Sequence, residues 1–210
     1  MENGHRSKPL VLLILKGAFY MFNIGDKIVY PMHGAGTSES IEEKNILGET
    51  QAYYIIKMPG EVKVMVPTDK AEQIGVRSII NKEEASKVFA ILEENETEMS
   101  PNWNKRYRDN MDKMKSGDIF EVADVVRNLS FKQKEKGLST GEKKMLNNAR
   151  QILVSELVLA EHAGQTEVEQ LVDNIITTSF KEYKVPQENE MNLEQNIVNK
   201  FIPFEGTHNA

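Results

Sequence analysis

The sequence predicts an α+β fold in which a small antiparallel β domain precedes an all-α helical domain. Between residues 22 and 77 the apolar residues form short runs typical of strands, separated by Gly and Pro. From residue 81 onward they recur every three or four positions, as on one face of a helix. The 210 residues are enough for one or two domains, and this change of period places a boundary near residue 80.

The β domain is predicted over residues 21–78. Its first strand, Lys27–Tyr30, ends at a turn rich in Pro and Gly, and a further apolar run covers residues 52–58. A Pro-Gly pair then turns the chain into residues 62–66, where every second residue is Val. Strands this closely spaced predict a small, strongly bent antiparallel sheet or barrel.

The helical domain is predicted over residues 79–177. At four places a polar residue is followed three positions later by Glu, which is the signature of a capping box. Each pair precedes an apolar stripe with helical spacing, and Ser100 with Pro101 predicts one further helix start. The four pairs are Asn81 and Glu84, Asp118 and Glu121, Ser139 and Glu142, and Thr166 and Glu169.

Residues 1–20 are predicted to be an N-terminal extension, either a loose tail or the product of a start assigned upstream of Met21. Their longest apolar run, Leu10–Leu15, has six residues, whereas a membrane-spanning helix needs about 20. No signal-peptide cleavage motif follows that run. We therefore expect a cytoplasmic protein without a membrane segment, and secretion is the less favoured alternative.

Residues 178–210 are predicted to be a mostly disordered tail. They combine two prolines with many Asn, Gln and Glu residues, a composition that buries little apolar surface. One short amphipathic segment is expected there, around Ile197, Phe201 and Phe204.

Charge is distributed unevenly along the chain. It carries 26 basic and 32 acidic residues, a formal net charge of −6, whereas residues 100–151 carry 12 basic and 7 acidic residues. An acidic protein with one basic segment is not a general binder of polyanions, although that segment could contact a phosphate backbone. A solvated helical surface explains the same pattern, and charge alone favours it.

The residues of common catalytic and metal sites are missing or scattered. The chain has no cysteine, which excludes a thiol nucleophile and Cys-ligated metals, and its four histidines lack ligand spacing. Residues 137–143 resemble a phosphate-binding loop, but the glycines are one residue too close and Glu142 would repel a phosphate. We therefore predict no enzyme activity, no metal and no cofactor.

Residues 100–108 form the most distinctive cluster, because they hold the only Trp of the chain. Trp103 lies in the predicted first turn of a helix, next to three cationic residues. An aromatic side chain flanked by cations can insert into the minor groove while the cations contact phosphates. The alternative is that Trp103 heads a buried apolar stripe with Tyr107 and Met111, and the residues alone favour this alternative.

Three motifs follow one another along the chain: GDKIVYPMHG at residues 25–34, NWNKRY at 102–107 and GLSTGEKKML at 137–146. With the sheet-then-helices layout, over about residues 21–176, they resemble the CarD/CdnL family of bacterial transcription regulators. The resemblance favours a DNA-contacting role for Trp103 over a purely structural one.

The resemblance implies two binding functions in one chain. A Tudor-like or SH3-like N-terminal domain, similar to the RNA-polymerase-interacting domain of transcription-repair coupling factor, would bind the β1 lobe of the polymerase β subunit. The helical domain would contact promoter DNA at the upstream edge of the melted region, largely independently of base sequence. Trp103 matches the family's minor-groove wedge.

Six cationic residues accompany Trp103 as expected DNA contacts. Four match DNA-contacting positions of the family, and the last two are added from charge and helix placement. They are Lys105, Arg106, Arg108, Lys143, Lys144 and Arg150.

Lys44, Ile46 and Met65 match the polymerase-binding surface of the family. Better-known members carry Arg at the positions of Lys44 and Met65. Lys44 keeps the charge but loses the two-pronged geometry of Arg, and Met65 loses the charge, so we expect a weaker or altered polymerase contact.

The resemblance therefore predicts a monomeric regulator that modulates open-complex stability, with RNA polymerase and promoter DNA as its partners. A protein that binds the open complex more tightly than the closed one shifts that equilibrium by the difference in affinity. The alternative is an adaptor of RNA polymerase that does not bind DNA. Salt dependence separates the two, because direct phosphate contacts weaken as salt rises.

Overall fold

A computed structural model describes residues 20–201 of the chain, with side chains described as far as residue 184. The predicted N-terminal extension lies almost entirely outside these residues, as do the side chains of the predicted amphipathic segment around Ile197, Phe201 and Phe204. A sheet followed by helices confirms the predicted fold class. Among the helices that the structure describes, none has the length and apolar character needed to cross a membrane.

The N-terminal unit is a single antiparallel sheet. Its elements are β1 (Lys27–Tyr30), β2 (Gly34–Ile46), β3 (Glu49–Lys57), β4 (Lys63–Pro67), the short helix α1 (Ala71–Ile74) and β5 (Arg77–Ser78). The five strands lie side by side in the order β4-β3-β2-β1-β5, so β4 and β5 are the edge strands.

The long strand β2 bends at a register shift between Ser38 and Ser40. Such a bulge increases the local twist of a strand, so β2 pairs with β1 near its start and with β3 over most of its length. The inner face of the curled sheet buries Tyr54, Ile56 and Val66 in a small core. This is the strongly bent antiparallel sheet that the strand spacing predicts.

The C-terminal unit consists of five helices whose apolar faces share one core. The helices are α2 (Lys82–Glu93), α3 (Trp103–Lys115), α4 (Ile119–Glu135), α5 (Thr140–Glu161) and α6 (Gln165–Phe201). The most central helix, α4, contacts the other four and buries residues on nearly all its sides.

The predicted helix starts are largely confirmed. Complete capping boxes begin α2 at Asn81 and α5 at Ser139. Asp118 caps α4 without a box, since its carboxylate accepts a hydrogen bond from the backbone N–H of Phe120. Asn102, rather than Ser100, is the cap of α3.

The predicted start of the last helix at Thr166 is displaced. Helix α6 already includes Gln165, because the carbonyl of Gly164 accepts the first helical hydrogen bond from the N–H of Val168. Thr166 therefore lies inside the helix and not at its cap.

The predicted disorder of residues 178–210 is wrong for the part that the structure describes, because α6 continues to Phe201. The ring of Phe180 meets the buried ring of Phe131 edge-on, with 5.4 Å between the centroids. The Ser179 hydroxyl donates to the carbonyl of Glu93 over 2.7 Å. These contacts anchor a segment whose polar composition alone indicates disorder.

Candidate functional site

The indole of Trp103 is held at the surface by two helices. Asn102 caps α3 by accepting a hydrogen bond from the N–H of Lys105 over 3.0 Å, so Trp103 is the first helical residue. Its Nε1 donates to the hydroxyl of Ser139, the cap of α5, over 3.0 Å. Its ring stacks on Tyr107 with 5.4 Å between centroids, yet 44% of the residue is exposed. Trp103 therefore heads the apolar stripe and also presents part of its ring to solvent.

Arg106, one of the predicted DNA contacts, is buried. Only 8% of the residue is exposed. Its Nε donates to Oε1 of Glu142 over 2.9 Å, and one of its terminal nitrogens, Nη2, lies 2.8 Å from the same oxygen. The other terminal nitrogen donates to the carbonyls of Ser100 and Pro101. Arg106 faces α5 because it lies three residues after Trp103, on the packed side of α3.

Glu142 is the hub of this junction. Its second carboxylate oxygen accepts hydrogen bonds from the N–H and the hydroxyl of Ser139 over 3.1 and 2.8 Å. Burial disfavours the charged form of Glu142, but the bonds from Ser139 and Arg106 and the charge of Lys132 outweigh it and hold its pKa at about 2. The ionised carboxylate thereby fixes Ser139, and through it the indole of Trp103.

Four of the six predicted cationic contacts are exposed. On α3, two of them lie three positions apart on its solvent side, within the first two turns. On α5, the other two are adjacent residues in the turn that follows Ser139. They are Lys105, Arg108, Lys143 and Lys144.

A further exposed cation, beside the start of α5, was not predicted from the sequence. Lys136 is the C-cap of α4 and stands three residues before Ser139, in the turn that leads into α5. Its position directly ahead of the GLSTGEKKML motif is the signal that could have identified it. The sequence also gave no indication that Ser139 contacts the indole.

Acidic residues limit the basic surface on α3. Asp109 and Asp112 are exposed, and each lies four residues after one of the cations Lys105 and Arg108. Residues four apart share one side of a helix, so Asp109 and Asp112 interrupt the basic side that begins with Lys105. The last turn is basic again, with Lys113 and Lys115. The unbroken basic surface of α3 is therefore at its start.

Arg150 lies apart from this group. It forms an ion pair of 2.5 Å with Asp173 of α6 and lines a cleft of about 680 Å³ between the sheet and the last two helices. It stands seven residues after Lys143, which is about 10 Å further along α5. Arg150 was predicted as a DNA contact from its charge and its position on α5, which do not reveal the ion pair with Asp173.

The three predicted polymerase-binding residues share one face of the sheet. Lys44 pairs with Gln51, and Ile46 with Glu49, across β2 and β3. Met65 of the edge strand β4 pairs with Ile55 of β3. Directly paired residues point to the same face, as do residues two apart on one strand, so the register places Lys44, Ile46 and Met65 on the side opposite the core. Met65 lies four residues along the strands from Lys44, a distance of about 13 Å.

This outer face combines exposed apolar residues with a paired cation. Ile46 and Met65 are 40% and 50% exposed, and Lys44 forms an ion pair of 2.6 Å with Glu42. Leu47, in the turn between β2 and β3, is fully exposed, which makes it a fourth candidate for this surface. Its neighbour Ile46 was the sequence signal for it.

Both units match known families. Residues 22–80 match the CarD-like/TRCF RID domain, and residues 87–173 match the C-terminal domain of CarD. YdeB of Bacillus subtilis (strain 168), a protein described provisionally as a transcription factor, is 46% identical over 138 residues. That alignment covers 65% of this chain and 90% of YdeB.

Proposed function

Because the chain belongs to the CarD family of transcription regulators, we propose that it stabilises the open promoter complex by binding promoter DNA while held on RNA polymerase. Family membership itself indicates a transcription regulator that interacts with RNA polymerase, and the RID domain implies the β subunit as the point of interaction. We propose in addition a contact with promoter DNA, the residues that form it and its effect on the stability of the open complex.

The observation that carries the proposal is the setting of Trp103. Its indole is half-exposed at the start of α3, fixed by Ser139 and backed by Tyr107. The exposed cations Lys105 and Lys143 lie within a turn of Trp103 and Ser139 along their helices. A rigid aromatic edge beside cations is suited to a distorted base step next to phosphates.

The expected effect on initiation follows from differential binding. Tethering to polymerase raises the effective concentration of the helical domain at the promoter, so that modest DNA affinity suffices. A wedge that fits only the melted edge binds the open complex better than the closed one, and about 1.4 kcal/mol of difference changes their ratio tenfold. Contacts to phosphates and to a deformed step carry little base-sequence information, so the effect depends on the intrinsic stability of each open complex.

On the polymerase side, we propose that the outer face of the sheet, with Lys44, Ile46 and Met65, contacts the β1 lobe of the β subunit. Apolar Ile46 and Met65 supply desolvated contacts, and the ammonium of Lys44 supplies one charge. Since Lys44 is already paired with Glu42, a polymerase carboxylate must compete for it. This competition supports a modest affinity for the polymerase.

The second candidate is a polymerase adaptor that does not touch DNA. The exposed Asp109 and Asp112 on α3 favour it, because their charges oppose a phosphate backbone, and so does the net charge of −6. In this version the helical unit binds another protein.

The test is the lifetime of a weakly melting promoter's open complex, measured with the wild-type protein and with Trp103→Ala at saturating concentration. We expect the wild type to lengthen the lifetime and Trp103→Ala to lose most of that effect while co-purifying with polymerase normally. Equal lifetimes with both proteins would remove the wedge from the mechanism and favour the adaptor.

A further inference from the structure

Helix α5 connects the two proposed binding surfaces. Its 22 residues span about 33 Å. Its N-terminal cap, Ser139, holds the indole of Trp103, whereas its C-terminal half packs against β2. The position of Trp103 relative to the sheet therefore depends on the contacts that hold the C-terminal half of α5 against the sheet.

A buried ion pair joins this half of α5 to the sheet. Arg77 of β5 donates to both carboxylate oxygens of Glu156 over 2.6 and 2.9 Å, and the side chain of Glu156 is fully buried. The N–H of Ile80 also donates to Glu156 over 3.0 Å. Arg77 Nε donates to the carbonyl of Gly117 over 2.9 Å. One arginine thus joins the last strand, the C-terminal half of α5 and the turn between α3 and α4.

A second set of contacts lies beside this pair. The hydroxyl of Ser155 accepts a hydrogen bond from the N–H of Ala35 over 2.9 Å. A Cβ at Gly34 would lie 2.4 Å from that hydroxyl, and the φ of Gly34 is +94°. Lys27 donates to the carbonyl of Leu159 over 2.9 Å. The GDKIVYPMHG motif thereby supplies two of the residues that touch α5.

We propose that Arg77 and Glu156 are positioning residues that fix the orientation of the polymerase-binding sheet relative to Trp103. The inference rests on the proposed function and adds a geometric requirement to it. Anchoring on polymerase brings the wedge near the DNA, but insertion at one base step also requires correct orientation. A displacement of the indole by about 1 Å can remove a large part of its effect on the open complex, because that effect depends on alignment.

A two-point pair is well suited to this role. Its fork geometry fixes both distance and angle, whereas apolar contacts tolerate sliding. If the pair is weakened, the two surfaces stay intact and their relative orientation becomes variable. Binding to polymerase should then persist, while stabilisation of the open complex is lost.

Glu156→Gln is the primary test variant. The amide can still accept the bond from Ile80, but it cannot form the two-point charged pair with Arg77. Glu83→Gln is the matched control, since it removes the same charge from an exposed pair with Lys87 on α2. If Glu156→Gln does not fold, Arg77→Lys replaces it, because Lys keeps the charge and loses the fork.

Orientation can be measured directly, because the chain has no cysteine. Cysteines introduced at Leu47, in the turn between β2 and β3, and at Asp112, in α3, carry spin labels for a distance distribution. We expect a narrow distribution for the wild type and Glu83→Gln, and a broader or shifted one for Glu156→Gln. The same variants without the labelling cysteines are compared for polymerase affinity, thermal unfolding and open-complex lifetime.

We expect Glu156→Gln to lower the added open-complex lifetime about threefold or more, with polymerase affinity within about twofold of the wild type. An unchanged distance distribution, or an unchanged lifetime despite a broadened distribution, would overturn the inference alone. If the wild type itself does not lengthen the lifetime, the proposed function fails, and the inference fails with it.

Discussion

The hydroxyl of Ser139 lies 3.0 Å from Nε1 of Trp103 and accepts its hydrogen bond. The same hydroxyl donates to the carboxylate of Glu142 over 2.8 Å, within the capping box of α5. A helix cap therefore sets the orientation of the exposed aromatic ring. Because this bond crosses from α5 to α3, the wedge is part of a two-helix junction and not an independent side chain.

Ser139→Ala should loosen the indole and weaken its effect on DNA. Loss of one hydrogen bond of about 0.5–1.5 kcal/mol predicts an about two- to tenfold smaller gain in open-complex lifetime. Since Trp103 is the only Trp, time-resolved fluorescence anisotropy should report faster local motion of its ring.

Ser139→Ala also removes a helix cap, which costs about 1 kcal/mol of stability. Asn81→Ala removes the cap of α2, which also forms a complete capping box, and serves as the matched control. It should lower stability similarly without changing the anisotropy. Ser139→Thr keeps a hydroxyl and should restore most of the effect; if it behaves like Ser139→Ala, the hydrogen bond is not the cause.

The pKa of Glu142 predicts an acid-sensitive component of stability. Its folded-state pKa of about 2 lies below the ordinary value of 4.5. The unfolded chain therefore binds more protons in this interval, so the contribution of Glu142 is complete above about pH 4.5 and is lost as the pH falls toward 2.

Glu142→Gln should remove this component. At neutral pH it should cost about 3–5 kcal/mol, because it leaves Arg106 charged, buried and without its carboxylate. In denaturant titrations the difference in unfolding free energy from the wild type should shrink as the pH falls from 5 toward 2. Parallel pH profiles would contradict the assignment of this titration to Glu142.

The exposed cations predict a salt dependence of DNA binding. Each phosphate contact contributes about 0.9 to the slope of log affinity against log salt, so Lys105→Gln, Arg108→Gln and Lys143→Gln should each lower the slope by up to about one. Lys87→Gln, at an exposed position of α2, is the control and should leave the slope unchanged. Three unchanged slopes would argue against phosphate contact at these positions.

The sheet face predicts a separate defect in polymerase binding. Ile46→Glu should lower the affinity for the isolated β1 lobe about tenfold or more, because it places a charge in an apolar contact. Val62→Glu changes an exposed apolar residue that precedes β4 and lies outside its paired residues, and it should bind normally. If Ile46→Glu still co-purifies with polymerase at wild-type levels, the polymerase contact lies elsewhere.

The sequence predicted those features that depend on local patterns. The strand-to-helix order and the capping boxes at Asn81 and Ser139 follow from spacing between near neighbours. The common face of Lys44 and Met65 depends instead on strand register, which a single strand does not encode. The family resemblance assigned both residues to one binding surface without any knowledge of the register.

Long-range charge pairs are not evident from the sequence. Arg106 and Arg150 are predicted as DNA contacts, and their partners, Glu142 and Asp173, lie more than 20 residues away in the sequence. A basic residue in a cluster is predicted to be exposed unless its carboxylate partner is known. Only the packing of α3 on α5, and of α5 on α6, shows which cations are already paired.

The last part of α6 provides a prediction about stability. Its composition predicts a mostly disordered tail, whereas the contact between Phe180 and the buried Phe131 indicates a structural element. Phe180→Ala should lower the free energy of unfolding by about 2–3 kcal/mol, since it opens a space beside an apolar core. Tyr183→Ala, one turn further along α6 and 39% exposed, should cost less than about 1 kcal/mol. Denaturant unfolding of the two variants measures this difference, and equal, small effects would show that the helix after residue 177 contributes nothing to the fold.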